Sequence, residues 1–242
     1  MKMQRYGFLL ALLLPFVEAA AADDGLIFYA PLDGSAVSKT AAATVSPEQP
    51  EKLRYVDGKF GKAVRLEGDA TLVYPAKNVF SFERGTLALW FRRDRSWESQ
   101  RGWQMFRASS GKEWNRECFY VAGTRWKELS VSVYDAEKIR NLVLSPNGIP
   151  LPAGSWQHWT VTWDGPRIRV YRNGEEISYK VKADPVCEIP LAAPLVLQFG
   201  SGHNAEAVLQ GELDELRIYN RELAPGEVKR LFESTPANGV SQ

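Results

Sequence analysis

Apolar residues along this chain fall in short runs, rich in Val, Ile, Leu, Tyr, Phe and Trp, that are punctuated by Gly, Pro and Asn. That pattern predicts antiparallel strands. The clearest stretch runs through Trp156 to Thr162, Arg167 to Arg172 and Glu175 onward, joined by Asp164-Gly165-Pro166 and by Asn173-Gly174. Asn-Gly is the strongest two-residue hairpin signal. Trp159, Val161 and Trp163 share one face of the first strand and His158, Thr160 and Thr162 the other, which reads as one core face and one partly open face. Further strands are expected near Leu26 to Leu32, Ala63 to Leu66, Thr86 to Phe91, Cys118 to Val121, Leu129 to Tyr134, Leu195 to Phe199 and Gly211 to Tyr219. About ten such strands make an all-β, two-sheet antiparallel sandwich. Pro225, Glu227, Val228, Leu231 and Phe232 predict one short amphipathic helix covering an end of the sandwich. The tail from Thr235 to Gln242 is small and polar and is expected to be disordered.

Two features change the picture at the N-terminus. Lys2 and Arg5 precede an apolar run from Phe8 to Val17, and Ala20-Ala21-Ala22 follows. This is the grammar of a cleavable signal peptide over residues 1–22, so a secreted or periplasmic product with a single domain over residues 23–234 is expected. The apolar run of about ten residues is too short to cross the bilayer as a permanent helix, and no later run is longer. With 30 basic and 29 acidic residues the chain carries a formal charge of +1. Removing Lys2, Arg5 and Glu18 leaves it neutral, which argues against nucleic acid as a partner. Cys118 and Cys187 either join as a single disulfide in an oxidising compartment or remain buried thiols that act as small hydrophobes.

Five segments carry a resemblance. They are Phe28 to Gly34, Gly58 to Leu66, Thr86 to Phe91, Trp156 to Gly165 with Val170 to Gly174, and Gly211 to Leu223. In this order they resemble the laminin-G-like jelly-roll domains of the concanavalin A-like lectin and glucanase superfamily. The resemblance implies a jelly-roll sandwich, but the superfamily contains lectins, carbohydrate-binding modules, adhesive domains, glycan hydrolases and polysaccharide lyases, so function must come from individual residues. A glucanase-type member needs paired carboxylates on one strand. The near match Glu212-Leu213-Asp214-Glu215 continues with Leu216 and Arg217 where the last glutamate should stand, so the hydrolase motif is broken. A lyase needs a tyrosine, a histidine and an arginine converging on a uronate, and His158 or His203 with Tyr171 are the available groups. No spacing favours them, and no catalytic residue is assigned.

Strict alternation places Glu212, Asp214, Leu216 and Ile218 on one, core-side face. A carboxylate there needs a cation or several hydrogen-bond donors. The resemblance implies that the first and last strands are neighbours and that a structural Ca²⁺ is held there by Asp33 and Asp214 together with carbonyl oxygens; the alternative is that Asp214 accepts backbone or arginine hydrogen bonds.

Trp97, Trp103, Trp114 and Trp126 fall in one polar, arginine-rich stretch between Arg95 and Lys127, read as loop-like. Indole faces suit pyranose rings, so these tryptophans with Arg101 are the candidate ligand-binding residues; the alternative is that some of them plug the sandwich edge. Arg92, Arg93, Arg95 and Arg101 form a local basic cluster suited to an acidic polysaccharide, or a solvated edge paired to Asp94 and Glu98. The expectation is a secreted, non-catalytic module that binds a glycan or polysaccharide. The alternatives are a polysaccharide hydrolase or lyase of the same superfamily, or an adhesive domain that recognises an extracellular protein.

Overall fold

A computed structural model of the chain describes residues 24–40, 44–67, 70–94, 103–109, 118–124, 128–134, 139–146, 148–149, 151–165, 167–177, 181–182, 194–200 and 209–234. The strands are β1 (Leu26–Ala30), β2 (Ser38–Thr40), β3 (Thr44–Val45), β4 (Arg54–Asp57), β5 (Lys62–Leu66), β6 (Leu72–Pro75), β7 (Arg84–Arg93), β8 (Trp103–Ser109) and β9 (Cys118–Gly123). They continue as β10 (Leu129–Tyr134), β11 (Ile139–Leu144), β12 (Trp156–Asp164), β13 (Arg167–Arg172), β14 (Glu175–Glu176), β15 (Val181–Lys182), β16 (Val196–Phe199) and β17 (Gly211–Tyr219), followed by helix α1 (Pro225–Glu233).

They form two antiparallel sheets, as a jelly-roll sandwich requires. A ten-stranded sheet runs β14-β13-β12-β7-β17-β1-β2-β3, with β5 also pairing to β17 and β4 to β5. A seven-stranded sheet runs β15-β11-β10-β9-β8-β16-β6. The chain neighbours β12 and β13 are joined through Asp164 and Gly165, and β13 turns into β14 through Asn173 and Gly174, both left-handed at φ 50° and 80°. A two-residue turn of this hand matches the twist of the strands it joins.

The core lies between the sheets. Leu87, Leu89 and Phe91 of β7, Trp159, Val161 and Trp163 of β12, and Leu213, Leu216 and Ile218 of β17 meet Phe106, Phe119, Val131, Leu197 and Phe199 from the other sheet. The rings interlock: Phe80, Phe106, Phe119 and Trp163 lie at centroid separations of 5.2 to 6.4 Å.

Helix α1 departs from expectation in where it sits. It packs on the outward face of the ten-stranded sheet, not on an end, because Tyr171 and Tyr219 point away from the core there and form a second apolar cluster with Leu223 and Val228. Glu227 reaches back to the Ala224 amide and pairs with Arg221, anchoring the first turn. His158, Thr160 and Thr162 are consequently buried, so the second face of β12 is closed, not open. No helix among the described residues is long and apolar enough to cross a membrane.

Candidate functional site

The acidic strand β17 does not alternate strictly. Between Asp214 and Arg217 its register against β7 shifts by a bulge, with Glu215 left-handed at φ 56°. The extra residue moves Leu213, Leu216 and Ile218 to the core and turns Glu212, Asp214 and Arg217 to the outward face, correcting the face assignment made from alternation. Each carboxylate has structural partners. Glu212 lies between Arg65 at 2.7 Å and Arg92 at 2.9 Å, while Arg65 also grips Asp94. Glu215 accepts from Tyr29 Oη at 3.0 Å and from Arg217, whose guanidinium lies 4.5 Å from the Tyr29 ring centroid. Asp214, wholly buried, accepts the amides of Lys59 and Phe60 on one oxygen at 2.9 and 3.0 Å. Burial, with Glu215 and Asp33 nearby, pushes its carboxyl up to about 8 against the pull of those amides.

Asp33 and Asp214 do come together, around the turn Gly58 to Gly61. Asp33 Oδ1 accepts the Lys62 amide at 2.6 Å. A calcium ion asks for six to eight oxygen ligands. Here the two carboxylates receive three N–H donors, and among the described residues no group of three or more His, Cys, Asp or Glu is arranged to hold a metal. Asp214 Oδ1 is left buried without a donor, and the side-chain oxygens of Asp33 and Asp214 number fewer than the six to eight that a calcium ion takes.

The stretch read as an aromatic loop is partly sheet. Trp103 opens β8, is 2% exposed, and packs 5.5 Å from Phe91 with the Arg93 guanidinium 4.7 Å from its ring centroid. A Cβ on Gly123 would lie 2.3 Å from its Nε1. Trp103 is therefore a core residue and has no free indole face for a sugar. The signal was masked by a second bulge at Met105, which puts Trp103, Met105, Phe106 and Ala108 all inward and erases the two-residue period. Trp97, Trp114, Trp126, Arg101, His203 and Cys187 lie outside the described residues, as do the signal segment and the tail. Cys118 is buried in β9. Of the basic cluster, Arg92 is paired to Glu212 and its guanidinium lies 4.9 Å from the Trp156 ring, whereas Arg93 turns inward.

His158 is enclosed in an aromatic box. Its ring lies 5.1 Å from Trp90 and 6.0 Å from Phe232, and neither imidazole nitrogen has a hydrogen-bond partner. Burial first, and the Arg217 charge second, hold its pKa down at about 3. Tyr171 belongs to the apolar cluster under α1. Neither residue faces a cleft with the other in the way a lyase site would need.

A further concentration of polar side chains is the outward face of the seven-stranded sheet, where Ser132 Oγ donates to Ser130 Oγ at 3.3 Å. Because Trp103, Met105, Phe106 and Ala108, Phe119 and Val121, Leu129, Val131 and Val133, and Leu197 and Phe199 point inward, their neighbours Gln104, Arg107, Tyr120, Ser130, Ser132 and Gln198 point outward. Gln198, Arg107, Tyr120 and Ser132 stand in one register row across β16, β8, β9 and β10. At about 4.8 Å between strands the row spans about 14 Å. Arg107, Ser130 and Ser132 are buried although they face away from the core, and Gln104, Tyr120 and Gln198 are half-buried. The Oε1 atoms of Gln104 and Gln198 are buried without a donor. Sequence reading passed over this row because Gln, Ser and Tyr on a strand look like ordinary solvent-side positions until the sheets assign faces.

A family model described as the concanavalin A-like lectin/glucanases superfamily, of laminin G type, matches residues 66–229. The chain belongs to that superfamily. Among solved structures it is similar to domain 4 of AbnA, an extracellular GH43 arabinanase of Geobacillus stearothermophilus solved in complex with arabinotriose, at 19% identity and TM-score 0.66, covering 85% of this chain and 97% of that one. The binding domain of Paraclostridial Mosquitocidal Protein 1 matches at 18% identity and TM-score 0.66, over 87% of this chain and 52% of that one. A chain of botulinum neurotoxin type C, whose cell entry depends on interaction with two ganglioside molecules, matches at 12% identity and TM-score 0.66, over 89% and 52% respectively. The chain thus spans about half the length of these toxin chains, and at such identities the likeness is one of fold. No curated protein matches the sequence.

Proposed function

We propose that this chain is an exported, non-catalytic binding module that recognises carbohydrate on the outward face of its seven-stranded sheet. The observation that carries the reading is the polar row of Gln198, Arg107, Tyr120 and Ser132 with Gln104 beside it, of which Gln104, Tyr120 and Gln198 keep part of their surface open. Amide and phenol groups of this kind both donate to and accept from the hydroxyls of a saccharide. A tyrosine ring and a guanidinium alongside suit the apolar and polar faces of a sugar. The arabinotriose complex of the similar arabinanase domain and the ganglioside dependence of the similar toxin support a saccharide over a protein ligand. Trp97, Trp114, Trp126 and Arg101 remain candidates for adding stacking and charge to the same ligand.

The test is a polysaccharide and glycan array probed with residues 23–242, with and without chelator. Retention of a defined saccharide is expected, weakened at least tenfold by Gln104→Ala and Gln198→Ala at unchanged melting temperature, with no reducing sugar or unsaturated uronate released. Retention unaffected by both substitutions would remove this face from the reading. Release of product would make the chain an enzyme.

A further inference from the structure

The two segments that hold the calcium candidates, Asp33 and Asp214, meet at one turn, and the way they meet points away from a metal. Gly58 to Gly61 links β4 to β5, closed by the Gly58 amide donating to the Gly61 carbonyl at 3.0 Å. Asp33, just beyond β1, takes the Lys62 amide on one side; Asp214, on β17, takes those of Lys59 and Phe60 on the other. Gly61 is left-handed at φ 47°, and a Cβ there would lie 2.0 Å from Asp33 Oδ1, so backbone already fills the space beside that oxygen. Amide hydrogens aimed at Asp33 Oδ1 and at Asp214 Oδ2 present the same positive pole that a cation would present, while Asp214 Oδ1 is buried without a donor. Gly58 is equally confined: a Cβ would lie 2.7 Å from the Lys62 carbonyl oxygen.

We propose that Asp33 and Asp214 form a metal-independent clamp, in which three main-chain amides of the β4–β5 turn take the place of a structural cation and tie β1, β5 and β17 together. The role of each carboxyl is to accept hydrogen bonds, not to supply charge. Its neutral isostere therefore serves as well, since an asparagine Oδ1 accepts the same amides.

Thermal melts of the full chain, followed with 1 mM CaCl₂ and with chelator, test it together with metal analysis of the purified protein. Coincident midpoints, less than one calcium per chain, and Asp33→Asn and Asp214→Asn melting within about 3 °C of the parent are expected. Asp214→Ala, which strands the Lys59 and Phe60 amides, should lower the midpoint by roughly 5–10 °C. A calcium-dependent rise that chelator reverses and Asp214→Asn abolishes would overturn the clamp. So would Asp214→Asn melting as low as Asp214→Ala, because charge and not acceptance would then be what the site needs.

Discussion

His158 offers a sharp test of how the ten-stranded sheet is closed. In the unfolded chain its imidazole titrates near 6.5; in the folded chain the Trp90 and Phe232 rings keep water away and no acceptor waits for a second N–H, so its pKa falls to about 3. For a base with a depressed folded pKa, the unfolded state takes the proton first. Stability is therefore unaffected above 6.5, falls as pH drops below it, and goes on falling until about 3. At pH 5, about 1.5 units below the unfolded value, the loss from this one group is about 2 kcal/mol. For a chain of this size that is roughly 4–8 °C in melting temperature. The perturbation is His158→Phe, which preserves the ring packing and removes both unpartnered nitrogens. Urea unfolding at pH 7.5 and pH 5.0 should give a parent that loses about 2 kcal/mol more than the variant between the two values. Because the chain has only two histidines, two-dimensional NMR of the Cε1–H groups reports His158 directly, with His158→Phe as the assignment. A His158 resonance titrating near 6.5, or an unchanged pH dependence in the variant, would refute the buried, neutral imidazole and with it the closed face under α1.

Other substitutions separate core from site. Trp103→Ala should cost about 3–5 kcal/mol in denaturant unfolding, as a buried aromatic truncation does; a saccharide-affinity loss at unchanged stability would return Trp103 to the ligand. Glu212→Ala should cost about 3 kcal/mol because it leaves Arg65 and Arg92 facing each other without their shared carboxylate; a change below 0.5 kcal/mol would mean that the pair is solvated. Phe232→Ala should cost about 2 kcal/mol and alter tryptophan fluorescence by uncovering Trp90, with its stacking partner at 5.6 Å removed. An unchanged spectrum would place α1 elsewhere.

What the sequence determined was periodicity and punctuation. Asn173-Gly174 allowed one turn and hence one register for β13 and β14, and the alternation of Trp159, Val161 and Trp163 assigned the core face of β12 correctly. Those are local constraints, set by backbone sterics and a two-residue repeat, and they were enough to predict the sandwich. Where the repeat was interrupted, local reading failed. The bulge at Glu215 turned Asp214 from a core-side carboxylate into an outward one, and the bulge at Met105 disguised β8 as a polar aromatic loop. A bulge depends on the partner strand, because only the ladder shows that two residues face one. The outward row of Gln198, Arg107, Tyr120 and Ser132 joins residues far apart in the chain, so no spacing in the sequence announces it. Asp33, Gly61 and Asp214 likewise became one clamp only when β17 came to lie beside both β1 and β5. Local chemistry chose the strands; which groups meet was decided by strand order, a property of the whole sheet.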